Sequence, residues 1–409
     1  MVAQDVTAVY PRRFRAAEPR NRRLGRPLQV LTKTAHPDPN LIDLMGQRLM
    51  ARDELGAGLV EAMRMTDPDD PERTTMGQFK LALEHGADAV PDCPGPLRAF
   101  FDTVERIPDW VDFEQINRGA AAYRRLGTNA ADVMLQLSLI GGYRFGGPTD
   151  LLVATGGLSG NTTVRRLAET QKWAVAVSQH DGLRRDGEGF RLTVHVRLMH
   201  ALVNHQFETN GRWDVHQWGL PINQTDQAAT LGLFNGALLL GVRMLGVHLT
   251  RSESRAIMHM WKYVGSLMGV DEDWLCDTEA AQHRLNYHFL ITQSDVSTAG
   301  PALANAIVRA QCRLHFKSFP TARGRFASAR LLSMLRYFLR EQGMRELELP
   351  QALPWAVGPV LASNLLRYHV LARTSWGRNR LQHWGERSFD ALLDRYFGDE
   401  VHSIGQPAL

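Results

Sequence analysis

The sequence predicts an all-α protein, a single large helical domain over residues 36–409 preceded by a flexible N-terminal arm over residues 1–35. Two observations carry this. Apolar residues recur at i, i+3, i+4 and i+7 along most of the chain, and the period-two alternation of half-buried strands is scarce. Helices are expected over 40–65, 97–106, 114–127, 129–141, 163–178, 191–208, 225–248, 252–268, 300–316, 326–342 and 356–372. Asp38-Pro39 stands before the first, Asp112 before the third and Thr225 before the long one, each offering a side-chain oxygen to free helix N–H groups. Gly269 follows the 252–268 segment as a stop signal. The glycine-rich stretches around Gly141–Gly147 and Gly156–Gly160 fit neither GxGxxG nor a P-loop, so a nucleotide site is not expected.

Composition narrows the class. The chain has 409 residues, 44% hydrophobic and 22% charged, enough to build a core without staples. Its three cysteines, Cys93, Cys276 and Cys312, form no CxxC, which argues against zinc ribbons and disulfide frameworks and for a reducing compartment. The net charge is +4, with five lysines against 42 arginines. The arginines are spread along the chain and interleaved with acids, so nucleic-acid binding is not expected. Arg12-Arg13 does not read as an export signal, because charged residues and not an apolar stretch follow. The longest apolar stretch, Leu231 to Leu249, holds Asn235 and Arg243 and reads as a buried helix, not a membrane span. A cytoplasmic protein is expected.

The candidate chemistry centres on histidines. His195, His200 and His205 are five apart, and five residues advance about 500° on a helix, so the three point different ways and cannot share one metal. His200 lies in a stripe with Val196, Val203 and Phe207. It is either a core histidine satisfied by a neighbour or a single axial ligand to a large apolar cofactor such as haem. On the preceding helix Arg166, Thr170, Trp173 and Val177 share a face. A buried guanidinium there needs an anion or a ring of acceptors, which an interhelical salt bridge or the polar corner of a cofactor pocket would supply. Arg165, Glu169 and Lys172 form a charged strip toward solvent. Paired Glu-x-x-His motifs, HExxH, GxSxG and CxxCH are all absent, which argues against di-iron carboxylate, zinc-protease, α/β-hydrolase and covalent-haem chemistry.

PDWVD at Pro108–Asp112, RRLAET at Arg165–Thr170, HVRLMHALV at His195–Val203 and WDVHQWGLPINQTDQAATLGLF at Trp213–Phe234 stand in one order over about residues 100–275, together with the later WKYVGSLMGV. In these stretches the chain resembles the latex-clearing-protein or rubber oxygenase superfamily of b-type haem oxygenases, which includes the oxygenase that trims the farnesyl chain in mycophenolic acid biosynthesis. The resemblance implies a globin-like core with additional helices and non-covalent haem b, its iron held by His200. Arg166 and Thr170 would act on the distal side and contact the cofactor, His205 would be secondary, and Asp150 falls by spacing on a candidate base. Where related proteins can carry a distal lysine this chain has Glu169, which implies an open or water-bound distal site. The resulting expectation is an oxygenase that adds dioxygen across, or cleaves, a C=C bond of an apolar unsaturated small molecule or polyprenyl substrate. The alternatives are a non-catalytic haem-binding or gas-sensing helical protein, or a haem-free helical scaffold.

Overall fold

A computed structural model of the chain describes residues 10–156 and 160–398. Among them no strand occurs. The helices are α1 (Glu18–Thr32), α2 (Pro39–Gln47), α3 (Glu54–Met63), α4 (Met76–His85), α5 (Gly95–Glu105), α6 (Phe113–Arg124), α7 (Thr128–Val133), α8 (Pro148–Ala154), α9 (Gly160–Val177) and α10 (Glu188–Thr209). They continue as α11 (Val215–Trp218), α12 (Gln224–Gly232), α13 (Leu238–Met244), α14 (Arg251–Leu267), α15 (Glu279–Thr292), α16 (Ala299–Ala310), α17 (Pro320–Glu346), α18 (Val357–Asn364) and α19 (Ser375–Phe397). One contiguous core of buried apolar side chains runs from Met45 in α2 to Phe397 at the end of α19. The all-α expectation holds.

The boundaries have local causes. Asp38 accepts from the N–H groups of Asn40 and Leu41 at the head of α2, and Asp112 from that of Gln115 at the head of α6. The helix expected over 40–65 divides into α2 and α3 with a 3₁₀ turn at Arg48–Met50 between. The long apolar segment also divides. Its α-helical winding is interrupted by a π-helical segment, Leu233–Ala237, where the Asn235 side chain takes the N–H of Gly236 and donates to Gln282 at 3.1 Å. A second π segment, Met134–Ile140, follows α7, and the Ser138 hydroxyl donates to the Leu233 carbonyl at 2.9 Å, tying the two together. Leu238, Leu239 and Val242 are fully buried, as expected of a core helix. No helix among the described residues is long and apolar enough to cross a membrane.

Two close approaches fix the packing. A methyl group on Gly119 would collide with the Ala256 carbonyl, so α6 and α14 meet nearly backbone to backbone. A methyl on Gly232 would strike the Asn286 side chain, whose amide donates to the Gly232 carbonyl at 3.0 Å and so locks α12 on α15.

The N-terminal arm corrects the expectation of a flexible segment. Residues 1–9 lie outside the described residues, but from Tyr10 onward the chain is pinned. Arg12 and Arg13 donate main-chain N–H groups to the carbonyls of His216 and Gln217, and α1 packs along α15. The Arg13 guanidinium is buried, forms an ion pair with the buried Asp226 and donates to the Trp218 carbonyl at 2.6 Å. Further on, Arg20 and Arg144 both donate to Glu346; burial pushes that carboxyl up, but the two guanidinium groups outweigh it and hold the pKa down at about 2. Within a composition that reads as disorder, Arg13 is a buried cation and the half-buried Arg20 a bridging one.

Arg13→Ala should therefore destabilise the whole fold and not merely fray an end. It leaves the Asp226 carboxylate buried without its countercharge, at a cost of about 3–5 kcal/mol in urea unfolding. A paired Arg13→Met, Asp226→Leu change should recover most of that loss.

Candidate active site

The helix that carries the three histidines has two apolar faces of unequal depth. One is fully buried and includes Phe190, Val194, Leu198, Ala201 and Leu202. Its polar members are satisfied: Arg197 makes a two-point ion pair with Asp53 at 2.7 and 2.8 Å, and Asn204 exchanges hydrogen bonds with the main chain of Ile222 at 2.9 and 2.7 Å. The other face carries Leu192, Val196, Met199, His200 and Val203, and every one of them is only half-buried. Phe207, at the end of this stripe, is buried against Leu151 of α8 and Trp213. The expected stripe around His200 is thus real but is not the deep core of the helix. It forms an apolar wall that α8 and α11 only partly cover.

His200 sits in that wall with its Nδ1 fully buried and without a hydrogen-bond partner. Burial pushes the imidazole pKa down to about 4, against weaker upward pulls from Asp53 and from the neighbouring Gln227 side chain, so the ring is neutral at pH 7. Gln227 Oε1 is likewise buried without a partner. An Nδ1–H donated to this oxygen would leave Nε2 as the ring's lone-pair nitrogen.

The start of α12 places Gln227. Asn223 caps the helix by accepting from Asp226 N–H at 2.9 Å, two residues before the expected cap, Thr225. Thr225 instead donates to the Met45 carbonyl at 2.7 Å. Gln224 spans to the 269–271 turn, donating to the Gly269 carbonyl at 2.8 Å and accepting from Asp271 N–H at 2.9 Å. One cooperative polar cluster therefore orients the residue beside His200. No helical wheel drawn on α10 alone could find Gln227; its only sequence signal is the polar INQTDQ run at a helix start.

Arg166 meets the second of the two expected possibilities, a ring of acceptors. Its guanidinium donates to the Leu152 carbonyl at 3.4 Å and to the carbonyl and hydroxyl of Thr155 at 3.2 and 3.0 Å, closing off the C-terminal end of α8. These acceptors are neutral, so they hold the charge without cancelling it. The field reaches Tyr143, whose phenol is pushed up by burial and partly pulled back by Arg166. Because Leu151 and Ala154 of α8 pack with Val203 and Phe207 of α10, the last turn of α8 links Arg166 to the His200 wall.

The remaining residues divide. Trp173 and Val177 are buried as expected, with Trp173 Nε1 donating to Thr193 of α10 at 2.9 Å. Thr170 is exposed and its hydroxyl donates to the Arg166 carbonyl at 2.9 Å. Of the charged strip, Arg165 is exposed and pairs with the half-buried Glu169 at 3.0 Å, while Lys172 is held by Glu188 at 2.8 Å. Asp150 caps its own helix: Oδ2 accepts from Gly147 N–H at 2.9 Å and Oδ1 from the Ser297 hydroxyl at 2.8 Å. Its carboxylate thus helps to position α8. His288 is structural, with Nε2 accepting from Asp38 N–H at 2.9 Å and Nδ1 donating to the Arg284 carbonyl at 2.7 Å. A cavity of about 410 Å³ lies elsewhere, between α6, the 248–253 turn and residues 368–381, and touches none of His200, Arg166, Thr170 or Asp150.

Among the described residues no three His, Cys, Asp or Glu side chains converge as a metal site. These features define a class: an all-helical protein presenting one neutral histidine in a partly open apolar wall, with an uncancelled guanidinium nearby. Residues 124–374, more than half of the chain, match the family described as ER-bound oxygenase mpaB/B'/Rubber oxygenase, catalytic domain, and the chain belongs to that family. It is similar to a rubber oxygenase from Streptomyces sp. (strain K30), 23% identical over 194 residues, which are 44% of this chain and 45% of that relative. The aligned stretch thus spans under half of the relative's length. Its fold is similar to that of latex clearing protein LCP in the closed state, with a TM-score of 0.59 over 82% of this chain and 88% of that one at 17% identity.

The depressed His200 pKa has a stability consequence. An unfolded histidine, at about 6.5, binds its proton before the folded one does. The contribution of neutral His200 is therefore fully present above pH 6.5 and is lost as pH falls toward about 4. Urea unfolding of cofactor-free protein should show this acid-side decline, and His200→Leu should flatten it.

Proposed function

We propose that the chain is a haem b-dependent oxygenase that uses dioxygen on a C=C bond of an apolar, isoprenoid- or lipid-like substrate. The observation that carries the reading is His200: a neutral imidazole with a buried, unpaired Nδ1 beside an equally unpaired Gln227 oxygen, set in a half-covered wall of Leu192, Val196, Met199 and Val203. These residues fit the group. One protein ligand suffices where a porphyrin supplies the others, and a ligating histidine is normally oriented by a hydrogen bond at its second nitrogen. The lack of a CxxCH motif agrees with non-covalent attachment.

When bound, haem b supplies the activation of dioxygen and the carbon–oxygen chemistry. His200 holds the cofactor, Gln227 fixes the tautomer and ring orientation, and the apolar wall excludes water. Arg166, held by neutral acceptors, offers positive charge to negative charge that develops during reaction, already oriented by α8. Thr170 lies one turn further along α9 and offers a hydroxyl that can turn from the Arg166 carbonyl. Asp150, bound by Gly147 and Ser297, keeps the end of α8 in place as a positioning residue.

The test is the visible spectrum and pyridine haemochrome of the wild type beside His200→Ala, both produced with haem supply. A Soret band that is lost or shifted in the variant is the expected result; a wild type that stays colourless after reconstitution with hemin overturns it. Substrate-dependent oxygen uptake with polyprenyl compounds is expected of the holoprotein, and bound haem without such uptake would favour the non-catalytic haem-binding alternative. Arg166→Ala should keep the haem spectrum and lose about 10²–10³ in kcat.

A further inference from the structure

The net charge of +4 conceals a strong asymmetry. Residues 301–380 carry 13 of the 47 Lys and Arg but only 3 of the 43 Asp and Glu, so this stretch has a formal charge of +10 and the remainder of the chain −6. The cations form no continuous run, which is why the interleaved pattern read from the sequence hides them. Lys317, Arg323, Arg325, Arg373, Arg378 and Arg380 are all exposed, and none has a carboxylate within 4.0 Å among the described residues.

The same stretch holds most of the apolar surface. Of twelve large apolar side chains left exposed among the described residues, eight fall between Phe319 and Trp376. Phe319 is 79% exposed and Trp376 61%. Packing draws separate elements together here. Phe326 of α17 and Trp355 of the following loop place their rings 5.7 Å apart, α18 packs on α17, and the π-helical segment Leu365–Val370 extends α18. Leu366 and Val370 are spaced to share one side of that segment. Arg380 lies over the Trp376 ring at 5.0 Å, an aromatic and a cation presented as a pair.

We propose that this C-terminal face, from Lys317 to Arg380, docks the protein peripherally on an anionic phospholipid bilayer. Unpaired basic side chains among exposed aromatic and aliphatic ones match the two components of an interfacial binding surface, attraction to anionic headgroups and shallow burial of apolar groups. A second copy of the chain is a poor occupant, since two such faces would repel. A nucleic acid would use the cations but leave Leu365 and Leu366 in water. The surface is independent of the assignment of His200, so His200→Ala protein binds vesicles as the wild type does.

The experiment is co-sedimentation of the full chain with phosphatidylcholine vesicles with and without phosphatidylglycerol, at low and high salt. Binding is expected only with phosphatidylglycerol, weakened by salt. Each basic side chain removed near such a surface lowers partitioning roughly fivefold, so Arg323→Ala with Arg325→Ala should lower it about thirtyfold. Leu365→Ser with Leu366→Ser should weaken binding at both salt concentrations. Lipids brominated near the headgroup should quench tryptophan fluorescence, and quench it less in Trp355→Phe and Trp376→Phe. All these side chains are at the surface, so thermal melts should match the wild type. No binding to anionic vesicles, equal binding by the arginine variant, or self-association abolished by the leucine variant would each overturn the proposal.

Discussion

The polar start of α12 is the constraint on which the site depends. Asn223, Gln224, Thr225, Asp226 and Gln227 are all buried, a costly arrangement unless each finds a partner. Four of them do, and each partner belongs to a different part of the molecule: the Asn223 side chain closes the helix end, Gln224 takes the 269–271 turn, Thr225 takes α2, and Asp226 takes Arg13 from the N-terminal arm. Gln227 is the member left over: its oxygen is buried without a partner, as is the Nδ1 of the neighbouring His200. Polar groups satisfied by distant elements make the cluster rigid, and rigidity is what a second residue must have if it is to orient a ligand.

The two faces of α10 express a division of labour. The deep face tolerates Arg197 and Asn204 because Asp53 and the main chain of Ile222 satisfy them, and this anchors the helix. The shallow face has no such polar members beyond histidines, yet its apolar side chains are left half-covered. Leaving apolar area in contact with water forfeits about 25 cal/mol per Å². Leu192, Val196, Met199 and Val203 stay half-covered on a face that the fold does not close, and local departure from good packing is expected at functional sites.

Much of this was legible in the sequence. Apolar periodicity located the helices around His200 and Arg166, expected over 191–208 and 163–178 and found at Glu188–Thr209 and Gly160–Val177. What failed has a common physical origin, since the missing partners come from elsewhere in the chain. Thr225 looked like a cap, but Asn223 wins because Thr225 is consumed by Met45. Arg166 could have met an acid or carbonyls, and only the position of α8 decides for carbonyls. The N-terminal arm looked disordered because its arginines match a solvated segment, whereas Asp226, more than two hundred residues away, turns one of them inward. Asp150 was placed by spacing alone, which does not show that Gly147 and Ser297 donate to its two oxygens.

The charge asymmetry teaches a related point about sums and distributions. A net charge near zero averages regions that a partner never meets together, because at physiological salt a charged surface is felt over only about 8 Å. What approaches the C-terminal face meets exposed Lys317, Arg323, Arg325, Arg373, Arg378 and Arg380 without neighbouring carboxylates among the described residues, whatever the chain's total of +4. Neither does a run of basic residues have to occur in sequence: Arg323 and Arg325 on α17 and Arg378 and Arg380 on α19 lie some fifty residues apart and are joined by an acid-free stretch from Pro350 to Gly385. Absence of acids over that length does as much as presence of bases, since it removes the partners that would neutralise the surface. The exposed aromatics then decide what kind of anion can use it, because only a lipid surface offers negative charge and an apolar interior within the reach of a single side chain.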